Sequence, residues 1–297
     1  MADEKMRYSL FKKIVIYILL GGGGAIVLIP LVWMVSTSLK TWIQLPQATI
    51  GGEQMLDVTS FAKELWPNPV DWSNYPKALT TFPFLLYLKN TLIITGLAML
   101  GVVISNPLIA YGFARLRAPG KNLIFLAYLG TMMLPGQVIM IPVYIMWAKA
   151  FHAIDTFAPL IVGSFFGSPF YVFLLRQFFM TIPRELSDAA KVDGCSEFQI
   201  FYKIMLPLLK PAVSVILIFT FMGHWNDFMG PLIYINSESK RTLALGLAFF
   251  TTSAGEQISL LNYQMAVAFL MTIPCLVIFY LSQRTFIQGI VFSGMTR

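Results

Sequence analysis

The chain has 297 residues, of which 57% are hydrophobic and only 12% charged, with a mean hydropathy of +0.71. Soluble globular chains carry about 25% charged residues, so this one lacks the polar surface that keeps a protein dissolved; disorder, a coiled coil and a small disulfide scaffold are excluded with it. The remaining charge is basic, 21 Lys and Arg against 14 Asp and Glu, and in an integral membrane protein the placement of that excess reports orientation rather than nucleic-acid binding.

A helix needs about 20 mostly apolar residues to cross the hydrocarbon core. Six stretches qualify, at residues 14–35, 86–113, 123–147, 157–180, 212–235 and 260–281. The first follows a short basic N-terminus (1–13). Its apolar run is longer than a signal-peptide core and no small-residue cleavage site follows, so it is expected to stay attached. Its four glycines, Gly21 to Gly24, suit close backbone packing against a neighbour better than a hinge. An extracytoplasmic insertion of mixed polarity follows (36–85). It is too short for a confident independent domain and too long for a tight turn.

The second span opens a five-helix core over 86–281. The third span is interrupted by Pro135, Gly136 and Pro142 and is expected to kink or end early, which membrane helices tolerate where neighbours satisfy the freed backbone groups. Between spans four and five lies the one substantial polar loop, 181–210, and after span six comes a tail, 282–297.

Six spans put both termini on one side. Fourteen of the 21 basic residues then share that side: Lys5, Arg7, Lys12 and Lys13; Arg115, Arg117 and Lys121; Arg176, Arg184, Lys191, Lys203 and Lys210; Arg284 and Arg297. The positive-inside rule makes it cytoplasmic. Trp33, Trp42, Trp66, Trp72 and Trp147 fall in the opposite segments or at the outer span ends, as an interfacial aromatic belt would. Cys195 is thereby cytoplasmic and Cys275 intramembrane, so no disulfide is expected. The fold class is all-α, an integral membrane protein of six transmembrane helices with both termini cytoplasmic.

In the 181–210 loop, Pro183 can open a helix with Glu185 in its first turn, and Gly194 is placed to end it. Ser196 can cap a second helix on which Phe198, Phe201, Ile204, Met205 and Leu208 recur at three- and four-residue steps, giving one apolar face outside the membrane. Pro207 and Pro211 break the chain before span five. Two short helices around a glycine turn suit a docking element for a soluble partner, or an amphipathic segment lying on the bilayer surface; spacing alone does not choose.

This loop resembles the EAA motif of ABC-importer permeases: E-A-A, three residues, G, nine residues, then I-x-L-P. Asp188 takes the glutamate position, followed by Ala189, Ala190 and Gly194, and nine residues on come Ile204, Leu206 and Pro207. The one departure, Asp for Glu, shortens the side chain by a methylene. Further stretches are similar to the carbohydrate-uptake, maltose-type branch: K-N-T-L-I-I-T at 89–95, A-Y-G-F-A-R at 110–115, W-N-D-F at 225–228 and Q-R-T-F-I-Q-G at 283–289.

The resemblance implies that the loop is a coupling element seated on an ATPase subunit, with Glu185, Asp188, Ala189, Ala190, Gly194, Phe198, Phe201, Ile204, Leu206 and Pro207 as its contact residues. It implies as partners a second, paralogous permease, two ATPase subunits carrying ATP and Mg, and an extracytoplasmic binding protein that delivers a sugar. The setting is a bacterial or archaeal cytoplasmic (inner) membrane.

Asp227 is the one acid placed inside a span, with His224, Trp225 and Asn226 before it. An intramembrane carboxylate is a functional-site candidate by default. Here it suits either a hydroxyl-rich solute path or, more simply, a gate or a helix irregularity ahead of Gly230 and Pro231. Asn90, Asn106, Gln137 and Gln264 suit interhelical hydrogen bonds. No G-x-x-x-x-G-K-[ST] occurs, so ATP hydrolysis by that route falls to a partner. Two His and two Cys at unrelated positions suggest no metal site, and no cofactor is expected on this chain. A non-sugar ABC permease is the nearest alternative. An ion-coupled secondary transporter would show paired intramembrane ionisable residues and inverted repeats, and a membrane enzyme would show a catalytic constellation.

Overall fold

The computed structural model describes residues 10–41, 44, 65–253 and 260–293, the side chains of 10, 11, 250–253 and 284–293 excepted. Every regular element among them is helical. That is what long apolar runs dictate, since a helix satisfies its own backbone groups where lipid offers no partners. Among the described residues four helices are long and apolar enough to cross a membrane: Lys12–Ser38, Phe84–Arg115, Ala158–Thr181 and Leu261–Gln283. Two bent pairs raise the number to six if each pair counts as one span.

The chain forms two compact units, Met1–Phe82 with Phe249–Thr272 and Pro83–Ala248 with Ile273–Arg297. In the first, α1 (Leu10–Ser38) exposes every side chain from 12 to 30, as an apolar helix surrounded by lipid or by a partner would. Nothing stands within 4 Å of where a Cβ would lie on Gly21 to Gly24. The close packing expected of that run is therefore not made among the described residues of this chain. The polar end of α1 is tied down instead. From α2 (Asn74–Thr81), the Asn74 amide donates to the carbonyls of Ser38 and Lys40 at 2.9 and 2.8 Å, and Asn262 donates to Lys40 O and Asn74 Oδ1 at 3.2 and 3.1 Å. This knot uses buried amides to satisfy carbonyls freed where the helix stops.

The second unit is built on α3 (Phe84–Arg115), 32 residues and hence about 48 Å long at 1.5 Å per residue. Then come α4 (Lys121–Gly130), α5 (Gly136–Ile145) with a π turn to Ala150, α6 (Ala158–Ile161) with a 3-10 turn to Phe166, and α7 (Pro169–Thr181). The 121–150 stretch bends by 96° at Leu134 and Pro135, the kink that its breakers foretold. The 157–180 stretch is not the continuous helix expected. At Gly167 the backbone turns to φ +82°, and a Cβ there would stand 2.6 Å from Ile109 Cδ1. Asn106 repairs the break, its Oδ1 accepting the Ser168 N–H at 2.8 Å while Ser105 Oγ donates to Ser164 O at 3.0 Å. A buried Asn and Ser on α3 are thus matched to a defect in the next span.

After α7 come α8 (Arg184–Val192), α9 (Glu197–Leu208), α10 (Lys210–Trp225) and α11 (Met229–Tyr234). They are followed by α12 (Leu243–Ser253) and α13 (Leu261–Ser293), helices shared between the two units. The core gathers Tyr111, Val172, Leu175, Phe179, Ile200, Met205, Leu209 and Ile216 around the 111 end of α3. At the other end, Asn90 donates to the carbonyls of Ser239 and Arg241, both at 2.9 Å, and Thr91 Oγ1 accepts the Leu243 N–H at 2.9 Å.

Candidate functional site

The α8–α9 hairpin starts where Pro183, at the N-cap with ψ 140°, turns the chain into α8, and Glu185 in the first turn complements the helix dipole. It ends in a full Schellman motif. Gly194 takes φ +81°, its N–H donates to Lys191 O at 3.0 Å, and the Cys195 N–H donates to Ala190 O at 2.9 Å. No atom lies within 4 Å of where a Gly194 Cβ would stand, so the requirement for glycine here is backbone conformation alone. Ser196 then starts α9 with a reciprocal capping box: its Oγ accepts the Gln199 N–H at 3.3 Å, and Gln199 Oε1 accepts the Ser196 N–H at 2.8 Å. Such a cap is worth about 1 kcal/mol.

α9 departs from the regular amphipathic helix expected. Ile200–Met205 is a π turn, and Pro207, which has no N–H to offer the preceding turn, follows at once. The 75° bend to α10 comes just beyond it. The rotation splits the apolar face. Phe201, Met205 and Leu209 are buried in the core and Ile204 and Leu206 pack against it, while Phe198 and Leu208 stay exposed. The freely exposed apolar face read from the spacing is therefore mostly the hairpin's anchor, because the same residues that could greet a partner fill the gap between α3, α7 and α10.

What remains outward is a smaller mixed patch: Glu185, Asp188 and Ala189 on α8 and Phe198 on α9 are exposed, and Ala190 is buried. Leu186, Val192 and Tyr202, not singled out from sequence, are exposed apolar side chains of the same hairpin, Val192 at 88%.

Polar contacts brace the hairpin, tie it to α3 and close the neighbouring end of α7. Lys191 Nζ meets Glu197 Oε1 at 2.7 Å, bridging the two helices. Glu197 Oε2 accepts the Tyr111 hydroxyl at 2.8 Å. The Tyr111 ring stands edge-on to Phe179 at 5.6 Å and tilted on Phe201 at 5.2 Å. Arg115, one turn on, donates through Nη2 to Phe179 O at 2.7 Å and Ile182 O at 2.5 Å, closing the end of α7. Both anchors lie in the A-Y-G-F-A-R stretch, which carried the hint without saying what it did.

The His224–Asp227 tetrad sits where α10 stops. His224 Nδ1 lies 3.0 Å from Thr220 O and Asn226 Nδ2 donates to Met222 O at 2.9 Å. Trp225 is buried and stacked on Phe221 at 5.2 Å, so its ring is already covered. Asp227 Oδ1 accepts the Gly230 N–H at 3.0 Å, and a Cβ on Gly230 would come within 2.4 Å of Asp227 Oδ2. Asn226 and Asp227 thus bond backbone groups on either side of a helix break. Span five is accordingly discontinuous: α10, a three-residue break, then α11.

Beyond α11 a second latch forms. Asp155, in the left-handed region at φ +59°, accepts the N–H groups of Asn236 and Ser237 at 3.0 and 2.8 Å, the Ser237 hydroxyl at 2.5 Å and Lys240 Nζ at 3.0 Å. The Ser237 bonds, then Lys240, hold its carboxyl well below the usual carboxylate range. Among the described residues no group of His, Cys, Asp and Glu side chains is arranged to hold a metal ion.

Residues 106–291 match the family of binding-protein-dependent transport system inner membrane components. The arabinooligosaccharides transport system permease protein AraQ of Bacillus subtilis is 33% identical over 237 residues, covering 77% of this chain and 80% of its own length. The sn-glycerol-3-phosphate transport system permease protein UgpE of Salmonella typhimurium is 32% identical over 274 residues, covering 91% and 93%. Among solved structures, a bacterial ABC transporter for import of the acidic polysaccharide alginate aligns with a TM-score of 0.78 over 93% of this chain and 98% of its own. At 22% identity that likeness concerns the fold.

Proposed function

We propose, from the premise that this chain belongs to the family of binding-protein-dependent transport system inner membrane components, that it is one permease subunit of an ATP-driven importer for a sugar or oligosaccharide. It is a transport subunit, not an enzyme: a partner pair of ATPase subunits binds ATP and Mg, a second, paralogous permease completes the membrane pathway, and an extracytoplasmic binding protein delivers the solute. The chain crosses a bacterial or archaeal cytoplasmic membrane six times, with both termini inside. The five-helix core runs over 86–281, and the 36–85 insertion faces the binding protein.

The observation that carries this reading is the welding of an exposed hairpin to three spans. A coupling element must be rigid with respect to the helices it drives, and the Lys191–Glu197–Tyr111 relay and the Arg115 clamp meet that need. Closure of the ATPases pushes the Glu185–Asp188–Ala189 patch, and the push reaches α3 and α7 without slack. Topology is supported by the two ends of α3. Arg115, Arg184 and Lys191 share one end of this unit, while Asp155 and the 236–241 loop gather at the end marked by Tyr87 and Asn90. The 121–150, 158–181 and 210–234 segments then alternate in direction, as crossings do.

Mild-detergent purification of the chain from native membranes, with mass spectrometry of its companions, tests the proposal. A second permease and a Walker-motif ATPase are the expected companions; a homo-oligomer without an ATPase would overturn it. A non-sugar polar solute is the second reading, favoured by the relative named for sn-glycerol-3-phosphate transport. Stimulation of ATPase activity by the loaded binding protein, solute by solute, separates the two.

A further inference from the structure

At the hairpin end of α3 a cavity of about 480 Å³ opens between the 115–121 turn and α8. Five cationic side chains line it: Arg115, Arg117, Lys121, Arg184 and Lys191. Of the two carboxylates in its wall, Glu197 is engaged by Lys191 and Tyr111, which leaves Asp188 to face four cations. Arg115 and Lys121 are partly buried while Arg117, Arg184 and Lys191 are exposed, and the mutual repulsion of such a cluster is relieved when an anion joins it.

Two buried donors without partners stand behind its wall. Ser187 is 8% exposed, lines the cavity, and its buried hydroxyl has no hydrogen-bond partner; the buried Nε–H of Arg115 has none either, although its Nη2 is engaged. Buried polar groups left unpaired are costly; of the five among the described residues, these two lie beside the cationic wall.

We infer that this cavity binds a phosphate group, either the headgroup phosphate of an anionic phospholipid or a free phosphate. Arginine forks and lysine ammonium groups converging with a hydroxyl match a tetrahedral oxyanion, which offers more acceptor oxygens than a carboxylate. The cavity lies where α3 ends and α4 begins, between two membrane-spanning segments, which is headgroup depth. Placing it in the cytoplasmic leaflet rests on the topology proposed above; the cavity and its unpaired donors do not. Occupancy would neutralise the cations behind Asp188 and stiffen the joint through which the hairpin moves the spans.

The test uses the whole transporter complex in phosphatidylcholine nanodiscs, with or without phosphatidylglycerol. Retained lipid is read by native mass spectrometry, and inorganic phosphate binding by equilibrium dialysis without nucleotide. Arg117→Gln with Lys121→Gln is expected to lower binding roughly tenfold or more, as loss of two charge-assisted donors should, while Arg117→Lys with Lys121→Arg stays near wild type. Loss of phosphatidylglycerol retention identifies the lipid as the source, and loss of phosphate binding alone identifies the free ion. If the Gln pair fails to assemble, Ser187→Ala gives the same comparison with a drop of about threefold.

Equal retention of both probes by wild type and Gln variants overturns the inference. So does the Gln pair shedding its ATPase with neither probe affected, which would assign the cavity to an acidic group of that partner. A complex that binds these probes but shows no ATP-dependent uptake would sink the importer reading alone.

Discussion

The two ends of α3 are both held by polar side chains, yet they are built for opposite purposes. At the far end, the neutral groups Asn90 and Thr91 bond to the backbone of the 239–243 segment, and Asp155 gathers four donors from the 236–240 loop. Each of these groups is paired within the chain, although the buried Thr95 hydroxyl one turn along α3 is not. At the hairpin end, charged side chains do the holding, apolar residues such as Val192 and Phe198 are left open, and the Ser187 hydroxyl and Arg115 Nε–H lack partners. The hairpin end is thus left unfinished in exposed apolar side chains as well as in unpaired donors. The unfinished state concerns surface and donors only; the hairpin's attachment to the spans is complete.

The sharpest way to break this comparison is at Gly194. A non-glycine residue in the left-handed region costs about 1–2 kcal/mol, and a β-branched one more. Gly194→Val should therefore abolish solute uptake while the chain still inserts and still recruits its companions. Gly194→Asn, which tolerates that conformation, should recover most uptake, and wild-type uptake by the Val variant would remove the hairpin from the mechanism.

Next in size is Tyr111→Phe. It removes the hydroxyl from Glu197 and keeps the ring against Phe179 and Phe201. Because Glu197 is about half exposed, the loss should be about 1 kcal/mol. The expected signature is a lower ratio of solute imported to ATP hydrolysed, measured in proteoliposomes, with assembly unchanged.

Asp227 offers a smaller test, of charge against capping. Asp227→Asn keeps an oxygen acceptor for the Gly230 N–H and should transport nearly normally, whereas Asp227→Ala should cost about 1 kcal/mol of stability, read as a lower melting temperature of the complex. Uptake abolished in the Asn variant would show that the negative charge itself is used.

The smallest effect is expected at the far latch. Asp155 is held below its ordinary value, so its contribution is fully present above the unfolded pKa of about 3.9 and disappears only as pH falls through the lower folded value. Hydrogen exchange of residues 236–240 should thus show unchanged protection from pH 7 to about 4.5. Asp155→Asn should loosen the segment at every pH. Opening of the wild-type loop already near pH 6 would mean that another group holds it.

Much of this was legible in the sequence because it depends on local chemistry. Apolar runs specify helices, Pro135, Gly136 and Pro142 specify a bend, Gly194 specifies a left-handed turn, and Ser196 specifies a cap. The spacing from Asp188 through Gly194 to Ile204, Leu206 and Pro207 identified the hairpin before any coordinates did. Three things were not legible, each because it depends on what a residue faces. The periodicity of Phe201, Ile204 and Met205 is the same whether the apolar side meets a partner or the chain's own core; the π turn and the packing of α3, α7 and α10 chose the core. The apolar run at 157–180 gives no warning that Gly167 will break it, because the reason is the nearness of Ile109 and Asn106 on another helix. Tyr111 and Arg115 look like any span-end residues until Glu197, Phe179 and Ile182 arrive beside them.

Composition and spacing by themselves determined that this is a helical membrane protein with a two-helix hairpin, since hydropathy, turn residues and caps act over a few neighbouring positions; the importer type came from the motif's resemblance to a family. Tertiary structure alone decided which face of that hairpin is buried, what rivets it to the spans, and that five cations and an unpaired serine share one cavity. Those outcomes are set by contacts between residues tens of positions apart, which a pattern along the chain does not record.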